Sequence, residues 1–314
     1  MNLSFKNFSI RIIGYLPYII FFYVIYTIEI FRELLLYNGL LQLMLFLIVA
    51  CIPAYLTKRM SYVDIAWPWG LVLIGALVLL LGDGYKPRIF LISGMYLFSG
   101  LRMGIGALIL LKKGHLDTEL SRYTYQRRRW KKAGYKNLDI SLQYEIMIQC
   151  FANITFLALP AILMAQNTAT SISVIEIIGA SLWAVWFVLE HVSDMQKQQF
   201  LKKSFLEKKK KQVCNVGFWK YTRHPNYFSE WMVWNAMIIS SISSFSDAFS
   251  GDQQLVWIII CIGLFYISYI MYTTLVYYTG AVPSEFYMLQ KRPNYKKYQE
   301  QTNMFFPGPN KNKN

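Results

Sequence analysis

Residues 62–81, YVDIAWPWGLVLIGALVLLL, decide the fold class. After Asp64 no charged residue appears before Gly82. About 20 apolar residues in helical form cross a hydrocarbon core of about 30 Å. Comparable runs recur at about 12–31, 35–56, 88–111, 142–165, 172–193, 225–246 and 254–280, which makes eight in all. The 314 residues are 55% hydrophobic, 17% aromatic and 16% charged, whereas a soluble domain carries about 25% charged residues. The expectation is an all-α polytopic membrane helical bundle of about eight transmembrane helices. The first run is too long, and lacks the small-residue cleavage site, to be a removable signal peptide; it reads as an anchor.

The formal net charge of +15 is placed asymmetrically. Of 32 Lys and Arg, 28 lie in residues 1–11, 57–61, 112–141, 194–224 and 281–314. The opposite loops hold Arg32, Lys86 and Arg88, and Arg102 lies inside a span. That is the positive-inside pattern, so both termini and the two long basic loops are expected to be cytoplasmic. Topology and anionic headgroups account for the surplus, so no nucleic-acid partner is expected. The run Lys208–Lys211 reads as a solvated or headgroup-facing patch. Cys51, Cys150, Cys214 and Cys261 are scattered, as are His115, His191 and His224, so neither a disulfide framework nor a metal site is expected.

No linker or repeat divides the chain, which reads as one membrane domain, 1–314. Its first part, 1–111, is almost purely apolar and is the expected lipid-substrate side. Residues 142–309 carry the long polar segments and read as the cofactor-binding half. SGLRMGIGA (99–107) lacks the preceding strand and third glycine of a dinucleotide fingerprint. Its Gly100 and Gly104 read instead as a close helix-packing pair.

Three clusters carry chemistry. In RHPNYFSE (223–230), Pro225 suits the first turn of a helix. Arg223 and His224 just ahead of it, together with the free N–H groups of that turn, form a candidate phosphate receptor. Asn226 and Glu230 share a helix face four residues apart. Glu190 and Asp194 form a similar acidic pair near the end of an apolar span, where ionisable groups are expensive and default to function. Asp64 opens the third cluster, with Trp67 beside Pro68, and Arg102 sits mid-span in the next helix. Asp64, Trp67 and Arg102 are the polar end of a lipid pocket on one reading; on the other, Asp64 and Arg102 form a buried structural ion pair. Tyr62 and Tyr96 are nearby phenols able to donate a proton.

VGFWKYTRHPNYFSEW (216–231) resembles the hallmark segment of the steroid 5α-reductase/isoprenylcysteine methyltransferase superfamily. VDIAW (63–67), LR (101–102), HLDTELSRY (115–123), EHVSDMQKQQF (190–200) and PSEFYMLQKRPNYKKYQEQT (283–302) follow in the order of its bacterial steroid 5α-reductase-like branch. The resemblance implies NADPH held at the cytoplasmic ends of the last spans. Glu190, Asp194, Asn226, Tyr227 and Glu230 match cofactor-contacting positions, and Arg223 and His224 match the R-H-P motif. Glu285 and Tyr287 match a cofactor-lining stretch, with Glu285 standing where the reductases carry a basic residue. Asp64 matches an acidic position that holds a substrate carbonyl, and Tyr96 is the expected proton donor, with Asp64, in catalysis.

The implied activity is NADPH-dependent reduction of a carbon–carbon double bond conjugated to a carbonyl, in a lipid or steroid-like substrate from the bilayer. The implied location is a bacterial inner membrane, or an endomembrane in a eukaryote, with the cofactor site facing the cytoplasm. Two other readings stay open: an S-adenosylmethionine-dependent methyltransferase of a lipid or prenylated cysteine, and a non-enzymatic lipid-binding membrane protein.

Overall fold

The computed structural model describes residues 3–209, 211–249 and 253–311, with side chains described from Arg11 onward; Lys210 of the basic run lies outside the described residues. Regular structure among them is helical: α1 (Leu3–Thr27), α2 (Glu29–Phe46), α3 (Ile52–Thr57), α4 (Val63–Leu81), α5 (Lys86–Lys112), α6 (Ser121–Lys132), α7 (Leu138–Ile154), α8 (Leu159–Ala165), α9 (Val174–Leu206), α10 (Pro225–Ala248), α11 (Gln254–Thr273), α12 (Ala281–Lys291) and α13 (Tyr295–Gln301). Single π-helical turns at Leu47–Cys51 and Thr274–Tyr278 continue α2 into α3 and extend α11.

Among the described residues, six segments are long and apolar enough to cross a bilayer: Glu29–Thr57, Val63–Leu81, Lys86–Lys112, Leu138–Ala165, Val174–Leu206 and Gln254–Lys291. Ile48, Leu80, Phe90, Phe98, Ile262 and Phe265 on these segments point outward, as lipid-facing side chains do.

Two of the eight expected spans fall short of that measure. α1 is helical over Leu3–Thr27, and the part of it with described side chains, Arg11–Thr27, is apolar but shorter than a full span. The chain turns at Ile28, whose backbone is extended, and α2 begins at Glu29, so the expected break near 32–34 is displaced toward the N-terminus. An acidic residue is favourable in a first helical turn. The other is α10, continuous over the expected 225–246 and starting at Pro225 as its sequence predicts. Its second half, SSISSFSD (240–247), is polar, and Ser240, Ser241 and Ser244 are buried. α9 runs 33 residues, about 50 Å at 1.5 Å per residue. It therefore outreaches a bilayer core and carries its acidic pair in a continuous helix.

The chain forms two compact units: residues 1–180 with 237–267, and residues 181–236 with 268–314.

In the first unit α4 and α5 form a tight hairpin. A Cβ on Gly100 would lie 2.7 Å from the Pro68 carbonyl, and one on Gly104 2.9 Å from the Trp69 indole nitrogen, so both glycines press on α4 as their spacing predicts. Ser93 Oγ donates to the Gly75 carbonyl at 2.6 Å. Arg88 is fully buried at the start of α5, paired with Glu176 and donating to the carbonyls of Asn167, Ala169 and Ser171. A buried charge is tolerated when it is both paired and hydrogen-bonded, and this one fastens the 167–171 link to α5. A second buried polar network joins α2, α4 and α7. Gln42 donates to Asn38 at 3.2 Å and to the Gly70 carbonyl at 2.8 Å, while Asn153 donates to the Trp67 carbonyl at 3.1 Å. The amphipathic α6 buries Tyr123, Gln126 and Trp130, three positions on one helical stripe. Tyr123 and Trp130 pack with Phe46, Met60, Val63, Leu142 and Ile146.

In the second unit the chain ties its tail back onto the start of α10. Thr222 Oγ1 donates to the Phe305 carbonyl at 2.9 Å, and Arg223 N to the Asn303 carbonyl at 2.9 Å. Phe228, Trp231, Tyr272, Phe305 and Phe306 form an aromatic cluster with ring centroids 5.2–6.2 Å apart. Gly217 has φ +53°, and a Cβ there would meet the Gln196 amide at 2.3 Å. Gln196 Oε1 accepts from Phe218 N at 2.9 Å, and Trp219 Nε1 donates to the Ser193 carbonyl at 3.0 Å. Only glycine allows the loop this close to α9.

Candidate functional site

The residues singled out from the sequence fall into two clusters, each within one unit. In the second unit, α10 starts at Pro225 with Arg223 and His224 directly ahead. Both are buried, and both face Glu285 of α12. Arg223 Nε donates to Glu285 Oε1 at 2.6 Å and Nη2 to Oε2 at 3.1 Å. Arg223 Nη1 donates to the carbonyls of Gln299 and Thr302, the former at 2.9 Å. The expected phosphate-binding arginine is thus held by a carboxylate and by the tail. Glu285, the residue that departs from the reductase pattern, is the one that holds it.

His224 Nε2 lies 3.1 Å from Glu285 Oε1. Burial lowers the His224 pKa below its ordinary 6.5, against the raising effect of Glu285. The neutral ring then donates its Nε2 proton to Glu285. Tyr227 stacks on His224, planes 4° apart and centroids 5.2 Å.

One turn in from Pro225, Asn226 Nδ2 donates to Asp194 Oδ1 at 3.0 Å. The two polar stripes read from the sequence, 190/194 on α9 and 226/230 on α10, therefore meet at this bond. Asn226 Oδ1 is buried with no hydrogen-bond partner. Leaving a buried acceptor unmade costs about 1–3 kcal/mol, so this atom is poised for a donor from outside the chain. Glu190 is buried, Glu230 is half-buried, and Tyr287 is half-buried edge-on to Phe286. Lys197, one turn beyond Asp194, lies over the Trp219 ring at 4.5 Å. It was not singled out from the sequence, where it is one of many loop lysines.

In the first unit, Asp64 lies in the first turn of α4. One carboxylate oxygen pairs with the Arg122 guanidinium and the other accepts from the Tyr123 hydroxyl. Both partners come from α6. Glu119 fixes that approach: it accepts from Met60 N at 3.0 Å and from Ser61 Oγ at 2.9 Å, and pairs with Arg127 at 3.0 Å. Burial first, and the Asp64 charge second, push the Tyr123 hydroxyl well above the usual phenol range, so it keeps its proton. Arg122 is the most exposed of the three, its side chain 36% accessible against 20% for Asp64.

Tyr96 is placed differently from its expected role. It is fully buried and donates to the Leu157 carbonyl at 2.5 Å, so its proton is committed to the backbone. Arg102 is half-buried in α5 and Trp67 half-buried in α4. The phenol that does meet Asp64 is Tyr123, which the sequence reading does not single out. It lies inside the quoted HLDTELSRY segment, whose length of match to the family was the available signal.

Helices and clusters together define a polytopic α-helical membrane protein with buried polar side chains gathered where helices begin. The chain belongs to the family described as Protein of unknown function (DUF1295), whose model matches residues 46–302. No curated protein and no solved structure matches it significantly.

Proposed function

We propose that the chain is a membrane-embedded, NADPH-dependent reductase of a carbon–carbon double bond conjugated to a carbonyl, acting on a lipid or steroid-like substrate. The observation that carries this reading is the Asp194–Asn226 bond beside a buried, unpartnered Asn226 Oδ1. Membership of a family associated with steroid 5α-reductase-like proteins supports it.

The donor set suits the cofactor's polar edges. Asn226 Oδ1 can accept from a carboxamide N–H, while Asp194, Glu190 and Glu230 can accept from ribose hydroxyls. Arg223 is engaged with Glu285, so the phosphates would rest on the helix start at Pro225 and on Lys197. When bound, NADPH supplies a hydride to the β carbon of the enone. In the first unit, Arg122, held by Asp64, is a donor suited to a carbonyl or enolate oxygen. Tyr123 keeps Asp64 oriented. The α carbon takes its proton from water.

We also place α1 and α10 across the bilayer. With the charge asymmetry this gives eight spans and cytoplasmic termini. Surface labelling of single cysteines introduced at positions 29 and 170, compared with 120 and 309, tests that arrangement.

Equilibrium binding tests the cofactor. Saturable NADPH affinity with none for S-adenosylmethionine supports the proposal, and the reverse sinks it in favour of methyl transfer.

A further inference from the structure

A groove of about 600 Å³ lies at the C-terminal end of α9 in the second unit, among Leu201, Phe205, Leu206, Lys208, Lys211 and Arg292. That volume is within the range of small-ligand sites. One wall is apolar: Leu201, Phe205 and Leu206 are all exposed, Phe205 by 83%. The rim is cationic. The nearby carboxylate, Glu207, is taken by Lys203 at 3.8 Å and Lys209 at 2.9 Å. Lys208 and Lys211 have no ion-pair partner among the described residues. Arg292 donates through Nη1 to the Gln212 carbonyl, which orients its guanidinium at the groove.

The backbone adds an independent mark. Lys208 and Lys211 both have left-handed conformations, φ 55° and 64°. Lys208 occupies the residue after α9 that glycine usually fills: Lys209 N donates to the Ser204 carbonyl at 2.9 Å and Lys208 N to Phe205 at 3.1 Å. A non-glycine residue in this conformation carries backbone strain, and such residues cluster at ligand-binding sites.

We propose that this groove binds one acidic phospholipid of the bilayer, its phosphate on Lys208, Lys211 and Arg292 and an acyl chain along Leu201, Phe205 and Leu206. The apolar wall selects this occupant. A soluble phosphate would leave that wall in water, whereas an anionic amphiphile satisfies both surfaces. The inference does not rest on the reductase reading.

The test is native mass spectrometry of the full chain after incubation with equal amounts of phosphatidylglycerol and phosphatidylcholine of matched chains. The expected result is one phosphatidylglycerol retained selectively. Lys208→Gly/Lys211→Gly should lose at least ~10-fold of that preference, at about 5-fold per cation. Its unfolding temperature in phosphatidylcholine should be unchanged or higher, because glycine suits both conformations. Arg292→Gln gives a second variant that leaves both lysines in place, and a loss of about 5-fold is expected for the one cation removed. Equal retention of the two lipids by the wild type, or undiminished preference in both variants, overturns the proposal. So does displacement of the lipid by inorganic pyrophosphate or NADPH, which would assign the groove to a soluble phosphate ligand.

Discussion

Arg223 and Glu285 stand 62 positions apart in sequence and meet in a buried two-point ion pair of 2.6 and 3.1 Å. Removing one partner leaves the other charged and buried, which costs about 3–5 kcal/mol. Glu285→Gln should therefore destabilise the detergent-solubilised protein by about that amount, read by thermal unfolding. Arg223→Met/Glu285→Met should recover a large part of the loss. A double variant no more stable than Glu285→Gln alone would mean the pair is not coupled as the geometry indicates.

The neighbouring His224 makes stability pH-dependent. Its folded pKa lies below the unfolded 6.5, so the unfolded chain takes up a proton that the folded chain refuses. Its penalty is absent above pH 6.5 and grows as pH falls below it. Between pH 6.5 and 5.5 the wild type should lose up to about 1 kcal/mol more than His224→Gln. Parallel unfolding curves for the two proteins would contradict this.

Asp64 and its α6 partners predict an ordering of activities. Asp64→Asn and Arg122→Met should each lower kcat by about 10²-fold or more, the usual effect of losing a preorganised oxyanion donor. Tyr123→Phe should lose about 10-fold, through disorder of Asp64. Tyr96→Phe should leave turnover nearly intact, because its hydroxyl serves the Leu157 carbonyl. Steady-state assay on an enone lipid checks the order, and a Tyr96→Phe defect larger than that of Tyr123→Phe would reverse the assignment.

For the cofactor, Asn226→Leu removes both the Asp194 contact and the free acceptor. NADPH should bind about 10–100-fold more weakly, the effect of one or two hydrogen bonds involving charged groups. Asn226→Asp places a second carboxylate against Asp194 and should weaken binding further at pH 8 than at pH 5. Fluorescence titration distinguishes these outcomes from an unchanged affinity.

Much of this was legible in one dimension. Apolar runs fix helices because every backbone polar group must be satisfied within the segment once water is absent. Pro225 marks a helix start because its missing N–H costs nothing there, and the 190/194 and 226/230 stripes follow from the helical repeat alone. The Gly100/Gly104 spacing foretold close packing for the same reason. Each of these properties belongs to a few consecutive residues.

What only the tertiary structure decided is who meets whom. Asp64 was weighed against Arg102, yet Arg122 and Tyr123 occupy its two oxygens. A loop helix folded back by Glu119 brings them there, and no local pattern encodes that fold-back. Arg223 looked free to hold phosphate until Glu285 arrived from α12. Tyr96 looked available until its hydroxyl met a backbone carbonyl. The sequence by itself determined the helices and the polar faces they carry. Hydropathy and helical period act over neighbours, whereas the neutralisation of a buried charge depends on a partner that packing alone delivers.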